Sequence, residues 1–144
     1  MKIRIAILSC AAILIYATIS GATTEGKTPS AIVEMYCALD YNGARLTSDT
    51  YEPVAKLMSW YETGEGGEPG WDSAYIISSF KIKKEQLFTN AATVEVEYEI
   101  VAIYSPQDIT TLYLTALERF KLININGAWR ISKTVMLPRI SIDV

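Results

Sequence analysis

The spacing of apolar positions along the chain changes character twice. The first apolar stretch, Ile5 to Ile19, reads IAILSCAAILIYATI and has no period, only small or mildly polar breaks. From Pro29 the spacing turns helical. PSAIVEMYCALDYNG puts Ile32, Val33, Tyr36, Leu39 and Asp40 near one face. Thr28 supplies a cap, Pro29 a favoured first position, and Asn42-Gly43 a stop. SDTYEPVAKLMSWY predicts a second helix, capped by Ser48 or Asp49, with Val54, Leu57, Met58 and Tyr61 as its stripe. ETGEGGEPG, residues 62–70, is too rich in glycine to hold regular structure and predicts a loop.

Beyond that loop the period becomes two. WDSAYIISSFKIKKE sets Ala74, Ile76, Ser78, Phe80 and Ile82 against Tyr75, Ile77, Ser79, Lys81 and Lys83. ATVEVEYEIVAIYS sets Val94, Val96, Tyr98, Ile100, Ala102 and Tyr104 against Glu95, Glu97 and Glu99. Such alternation predicts antiparallel strands with one buried face. Ser105 to Asp108 reads as a turn. TLYLTALERFKLININGAWRISK reads as a strand, an Asn126-Gly127 hairpin turn and a return strand. A last strand is expected between Met136 and Ile142, with Pro138 consigning it to an edge or bulge. The order predicts an α+β fold: N-terminal helices packed on a curved antiparallel sheet of four to five strands, closed toward a cone-like barrel.

Composition narrows the chemistry. The 144 residues suit one domain, and half are hydrophobic, enough for one core. The formal charge of −3, with no basic cluster, argues against nucleic acid; the Lys81–Lys84 run is a solvated charge run. There is no histidine, which removes the usual neutral-pH acid–base and the commonest transition-metal ligand. No cofactor is implied.

Lys2 and Arg4, the apolar run after them and the small residues Ser20 and Ala22 form the three-part grammar of an export signal, with cleavage expected between Ala22 and Thr23. The run is shorter than the roughly 20 residues of a spanning helix, which leaves an uncleaved anchor as the lesser alternative. ILSC around Cys10 only faintly echoes a lipidation site, because Leu8 is bulky. The reading divides the chain into a signal peptide at 1–22, a flexible tail at 23–27 and one domain from 28 to 144, exported to a periplasm or the exterior. Cys37 is then the last cysteine, placed in an apolar helix as a small buried hydrophobe.

GATTEGKT, residues 21–28, matches the phosphate-loop pattern. A working phosphate loop needs a buried parallel strand before it and βαβ units after it. Here the preceding run reads as a signal peptide, the following chain reads as strand after strand, and Glu25 puts a carboxylate where phosphates would lie. Nucleotide binding is rejected on those grounds.

The helix TPSAIVEMYCALDYNGARL, the hairpin KLININGAWRIS and the linking segment SWYETGEGGEPGWDSAYIISSFKI, in that order, resemble the nuclear transport factor 2-like, or polyketide-cyclase-like, superfamily, in particular its small secreted bacterial members. The resemblance covers residues 28 to about 142. It implies a curved sheet wrapped around a helix with a pocket at the open end, a scaffold that hosts isomerases, dehydratases and cyclases as well as carriers and interaction modules. Its Asp–His catalytic arrangement does not carry over to a chain without histidine; a Tyr–Asp version stays open.

Asp40, with Tyr36 one turn earlier, is the candidate base, and Tyr36, Tyr98 or Tyr104 the candidate donors to an oxyanion. A structural role for all four competes with that reading. Trp60, Tyr61, Trp71 and Tyr75 flank the glycine loop, either as an aromatic lid on an apolar ligand or as pins that hold the loop ends to the core. Glu62, Glu65, Glu68 and Asp72 do not have the spacing of a calcium loop and read as solvated charge. Glu95, Glu97 and Glu99 read as the wet face of a strand. The expected role is non-enzymatic binding of a small apolar ligand or a protein partner, with a homodimer among the options. A pocket enzyme of isomerase or dehydratase type using Asp40 is the alternative.

Overall fold

The first helix, α1 (Pro29–Tyr41), starts where its sequence dictates. The Thr28 hydroxyl accepts the Ala31 N–H at 3.2 Å, Pro29 needs no partner for the N–H it lacks, and Glu85 from the sheet accepts the Ser30 N–H at 2.8 Å. That carboxylate also complements the positive end of the helix dipole. Gly43 adopts φ +85° just past the end, the left-handed conformation a helix stop favours. The computed structural model describes residues 24–61, 63–64, 71–133 and 137–143. Residues 1–22, expected as an export signal, the Ala22–Thr23 junction, Glu62, Glu65 and Glu68 lie outside the described residues. Thr24 to Lys27, expected as a flexible tail, form a turn in which Glu25 bridges Ala128.

The second helix is shorter than its pattern suggests. A 3₁₀ turn, Ser48–Thr50, leads into α2 (Glu52–Ala55), and neither Ser48 nor Asp49 caps a helix. The reason is competition from the sheet. The Ser59 N–H donates to the Ile131 carbonyl at 2.9 Å, and the Ile131 N–H donates to the Leu57 carbonyl at 2.8 Å. The chain after Ala55 thus runs along a strand edge instead of continuing the helix. Val54, Leu57 and Met58 are buried as expected, while Tyr61 is exposed.

Five strands follow: β1 (Ala74–Leu87), β2 (Ala91–Tyr104), β3 (Ile109–Ile125), β4 (Ala128–Lys133) and β5 (Arg139–Ser141). Their order is β4-β3-β2-β1-β5 in one curved, half-barrel sheet. All neighbours are antiparallel except β5, which lies parallel to β1. Asn126 and Gly127 both have positive φ, as a two-residue hairpin turn between β3 and β4 requires. Pro138 precedes β5, at the sheet edge, so its missing N–H costs no ladder bond.

β2 keeps strict alternation. Val94, Val96, Tyr98, Ile100 and Ala102 are buried on the concave face, and Tyr104 at the strand end is exposed. Glu95, Glu97 and Glu99 lie on the convex face, where Arg119, Lys83 and Thr115 meet them in turn. β1 does not alternate as its sequence suggests. Register shifts at Ile76–Ile77, Ile77–Ser79 and Ile82–Lys84 bend the strand, so Ile77 rather than Ile76 is fully buried and Ser78 is exposed. The concave face closes over α1. Ile32, Val33, Tyr36 and Cys37 pack there against Val94, Val96, Phe120, Leu122 and Ile131, and Tyr36 meets Phe120 edge-on at 5.4 Å.

Candidate functional site

Among the described residues, four charged side chains lie inside this apolar core: Asp40, Arg45, Glu118 and Arg139, none more than 8% exposed. Ions of this kind are tolerated only when paired. Arg45, in the loop after α1, donates from Nη1 to Asp40 Oδ2 at 3.0 Å. Arg139, at the start of β5, donates from Nη2 to Glu118 Oε2 at 2.9 Å. The pairs are joined through the backbone, because the Arg139 N–H donates to the same Asp40 oxygen at 3.2 Å. Asp40 therefore ties the end of α1 to the C-terminal strand. Its other oxygen, Oδ1, is buried and accepts no hydrogen bond from the described residues.

A second chain of polar contacts crosses the core. The Tyr98 hydroxyl donates to Glu118 Oε2 at 2.9 Å. With its single proton committed there, it can only accept from the Cys37 thiol, 3.6 Å away. The sequence Cys37, Tyr98, Glu118, Arg139 thus links α1, β2, β3 and β5. The Arg139 guanidinium also lies 4.2 Å from the centre of the Tyr98 ring, a cation–π contact. Arg45 makes longer contacts of the same kind with Tyr36 at 5.5 Å and Trp71 at 5.7 Å.

Burial dominates the titration of these groups. It raises the Asp40 carboxyl to about 6, against the opposing pull of Arg45 and Arg139. It pushes the Cys37 thiol up to about 12, so that thiol carries no thiolate at neutral pH and is chemically inert. Burial also pushes the Tyr98 phenol well up, beyond any role as an acid. On the convex face, by contrast, the hydrogen bond from Arg119 holds Glu95 below the usual carboxylate range.

Beside this network is a cavity of about 110 Å³. Tyr98 and Arg139 contribute to it at the polar end; Tyr75, Ile100, Leu112, Leu114, Ala116 and Leu117 supply the rest of its lining. A larger cleft of about 350 Å³ lies elsewhere, where the 24–27 turn and Met58–Ser59 meet the β3–β4 hairpin, with Glu25 and Arg130 in its wall. Arg130 there donates to the Lys56 carbonyl. None of the candidates read from the sequence lines that cleft.

Among those candidates, Tyr75 and Tyr98 line the smaller cavity. Asp40 and Tyr36 line neither. Asp40 faces Arg45 and the backbone of Arg139, and Tyr36 packs on Phe120. Trp60 stacks on Tyr51 with ring centres 6.3 Å apart, Trp71 lies by Arg45, and Tyr61 reaches Glu52. These three line neither of the two cavities. Tyr104 is exposed at the end of β2. Among the described residues no group of three or more His, Cys, Asp or Glu side chains converges.

Sequence reasoning missed Arg45, Glu118 and Arg139. Glu118 had a legible signal: it shares a strand face with Phe120 and Leu122, which are buried. A charge at an inward position of a strand demands a partner in the core. Comparison of the chain with protein-family models, with curated proteins and with solved structures gives no match.

Proposed function

We propose that the protein is an exported binding module of the nuclear transport factor 2-like type, and that it works by seating a small apolar group on its concave face. The observation that carries this reading is the cavity whose polar end is Tyr98 and Arg139 and whose walls are Ile100, Leu112, Leu114 and Ala116. At about 110 Å³ it is well below the roughly 300 Å³ or more of a drug-sized pocket. It is nearer to the scale of an apolar cavity of about 150 Å³, which accepts benzene. The occupant is therefore a single ring or a short branched chain, either a free molecule or the tip of a larger one. Leu114 and Leu117 in its wall are 40% and 64% exposed, which gives the occupant a way in.

Binding without turnover is favoured over catalysis because the one candidate base is committed. Asp40 is held by Arg45 and the Arg139 N–H and lies outside the cavity. Tyr98, which does line the cavity, spends its hydroxyl proton on Glu118. Export rests on the charge, apolar run and small residues of 1–22. Among the described residues no helix is long and apolar enough to cross a membrane.

Native mass spectrometry of the chain purified from its host tests both parts. The expected spectrum has a polypeptide mass starting at Thr23 and an adduct of small molecular mass that is lost on denaturation. A bare chain that still begins at Met1 would contradict both.

A further inference from the structure

Arg139 is buried with more donors than acceptors around it. A guanidinium carries five N–H donors and accepts nothing. One N–H on Nη2 reaches Glu118 Oε2 at 2.9 Å, but that oxygen also accepts the Tyr98 hydroxyl. One on Nη1 reaches the Leu137 carbonyl at 3.4 Å, but that carbonyl also accepts from Arg45 Nη1. The Nε–H has no acceptor among the described residues. Nε nevertheless keeps accessible surface, because Asp40 Oδ1 is the one fully enclosed, unpartnered side-chain polar atom among the described residues. The rest of Arg139 is 98% covered, and the residue lines the cavity of about 110 Å³.

Tyr75 stands beside it. The two residues are paired in the parallel β1–β5 register, so their side chains leave the sheet on the same face, and both line this cavity. The Tyr75 hydroxyl has no hydrogen-bond partner among the described residues. No carboxylate is among the described residues that line the cavity, since Glu118 and Asp40 lie behind Arg139. What the cavity presents is therefore a guanidinium and a phenol at one place and aliphatic side chains elsewhere.

On the strength of the binding role proposed above, we infer that the occupant is a small branched-chain carboxylate, its carboxylate seated on the Arg139 guanidinium and the Tyr75 hydroxyl and its alkyl end against Ile100, Leu112 and Leu114. A guanidinium offers N–H groups in a planar fork that matches the two oxygens of a carboxylate. A plain hydrocarbon would displace water from the donors of Arg139 and Tyr75 and return no acceptor, which is costly in a desolvated site. The volume of about 110 Å³ suits an acid of a few carbons. Carboxylate and guanidinium are both desolvated in the complex, so the pairing favours binding only because the hydrogen bonds come with it.

The test is calorimetric titration, at neutral pH, of the chain purified from its host and exhaustively dialysed. Isovalerate is compared with methyl isobutyl ketone, which has the same shape with a methyl group in place of one carboxylate oxygen and no charge. Isovalerate should bind at least tenfold more tightly than the ketone, and Tyr75→Phe should weaken isovalerate roughly tenfold. In wild type the Arg139 Nε–H resonance should shift as isovalerate saturates the site, a reading that needs no variant to fold. Isovalerate bound no more tightly than the ketone, an Arg139 Nε–H that does not move, or unchanged isovalerate binding by Tyr75→Phe overturns the inference. In that event a ketone that still binds leaves the apolar cavity of the proposed function standing. Binding of neither probe overturns both.

Discussion

Replacing Arg139 with methionine removes one partner of the buried pair and leaves the other in place. Glu118 would keep the Tyr98 hydroxyl as a donor but lose the cation 2.9 Å away, in surroundings where its side chain is only 7% exposed. Breaking such a pair from one side costs about 3–5 kcal/mol, because the remaining charge stays desolvated. The lost contact with the Tyr98 ring at 4.2 Å falls within that figure and is not added to it. The Asp40 hydrogen bond survives, since it uses the backbone N–H of residue 139. At ~4 °C per kcal/mol for a domain of this size, Tm should fall by about 12–20 °C. Adding Glu118→Gln to Arg139→Met removes the stranded charge while keeping an acceptor for Tyr98. The double variant should therefore be more stable than Arg139→Met alone, by roughly 2 kcal/mol. Urea unfolding monitored by tryptophan fluorescence reads all four corners of the cycle. If Arg139→Met costs less than about 1 kcal/mol, or if Glu118→Gln adds its own cost in that background, the core pair is not the buried ionic lock described above.

Two further outcomes follow from the same geometry. Asp40 titrates near 6 in the fold against an ordinary value of 3.8, a raised carboxyl, so its contribution is fully present below about 3.8 and is lost as pH rises through about 6. Between pH 7 and pH 4 the stability of the wild type relative to Asp40→Asn should therefore improve by about 2 kcal/mol, and a difference that is flat with pH would contradict the burial of Asp40. Thr28→Ala removes the hydroxyl that accepts the Ala31 N–H and should cost about 1 kcal/mol in urea unfolding with no change in slope; no measurable cost would mean that Glu85 alone caps the helix.

The fold was legible in the sequence where one local signal acted alone. α1 was readable from both ends because Thr28-Pro29 and Asn42-Gly43 are strong punctuation and nothing competes with them. β2 was readable because Glu95, Glu97 and Glu99 alternate with buried residues without a break. Where two signals competed, the non-local one won. The helical stripe at Val54, Leu57 and Met58 yields after Ala55 to backbone pairing with Ile131, which no local pattern encodes. The alternation of β1 is broken by bulges that bend the strand around α1.

The site was half legible for the same reason. Tyr98 could be placed from the unbroken alternation of β2, whereas Tyr75 was singled out only as a flank of the glycine loop. Asp40 was singled out as a candidate base on the apolar face of the first helix, but it lines neither cavity and its partners come from a loop five residues on and from a strand ninety-nine residues on. Of the four aromatics that flank the glycine loop, Tyr75 lines the smaller cavity, while Trp60, Tyr61 and Trp71 line neither of the two cavities described. Tyr51, Glu52 and Arg45 claim them separately.

The concave cavity is tested most directly by titrating the protein with benzene while following the methyl resonances of Ile100, Leu112, Leu114 and Leu117 by NMR. Saturable shifts confined to these four methyl-bearing residues and their neighbours, abolished by Ala116→Phe, are predicted, since that ring would fill the space. Shifts spread evenly over exposed methyls such as those of Leu87 and Ile142, or unchanged binding to Ala116→Phe, would contradict a binding role for the cavity.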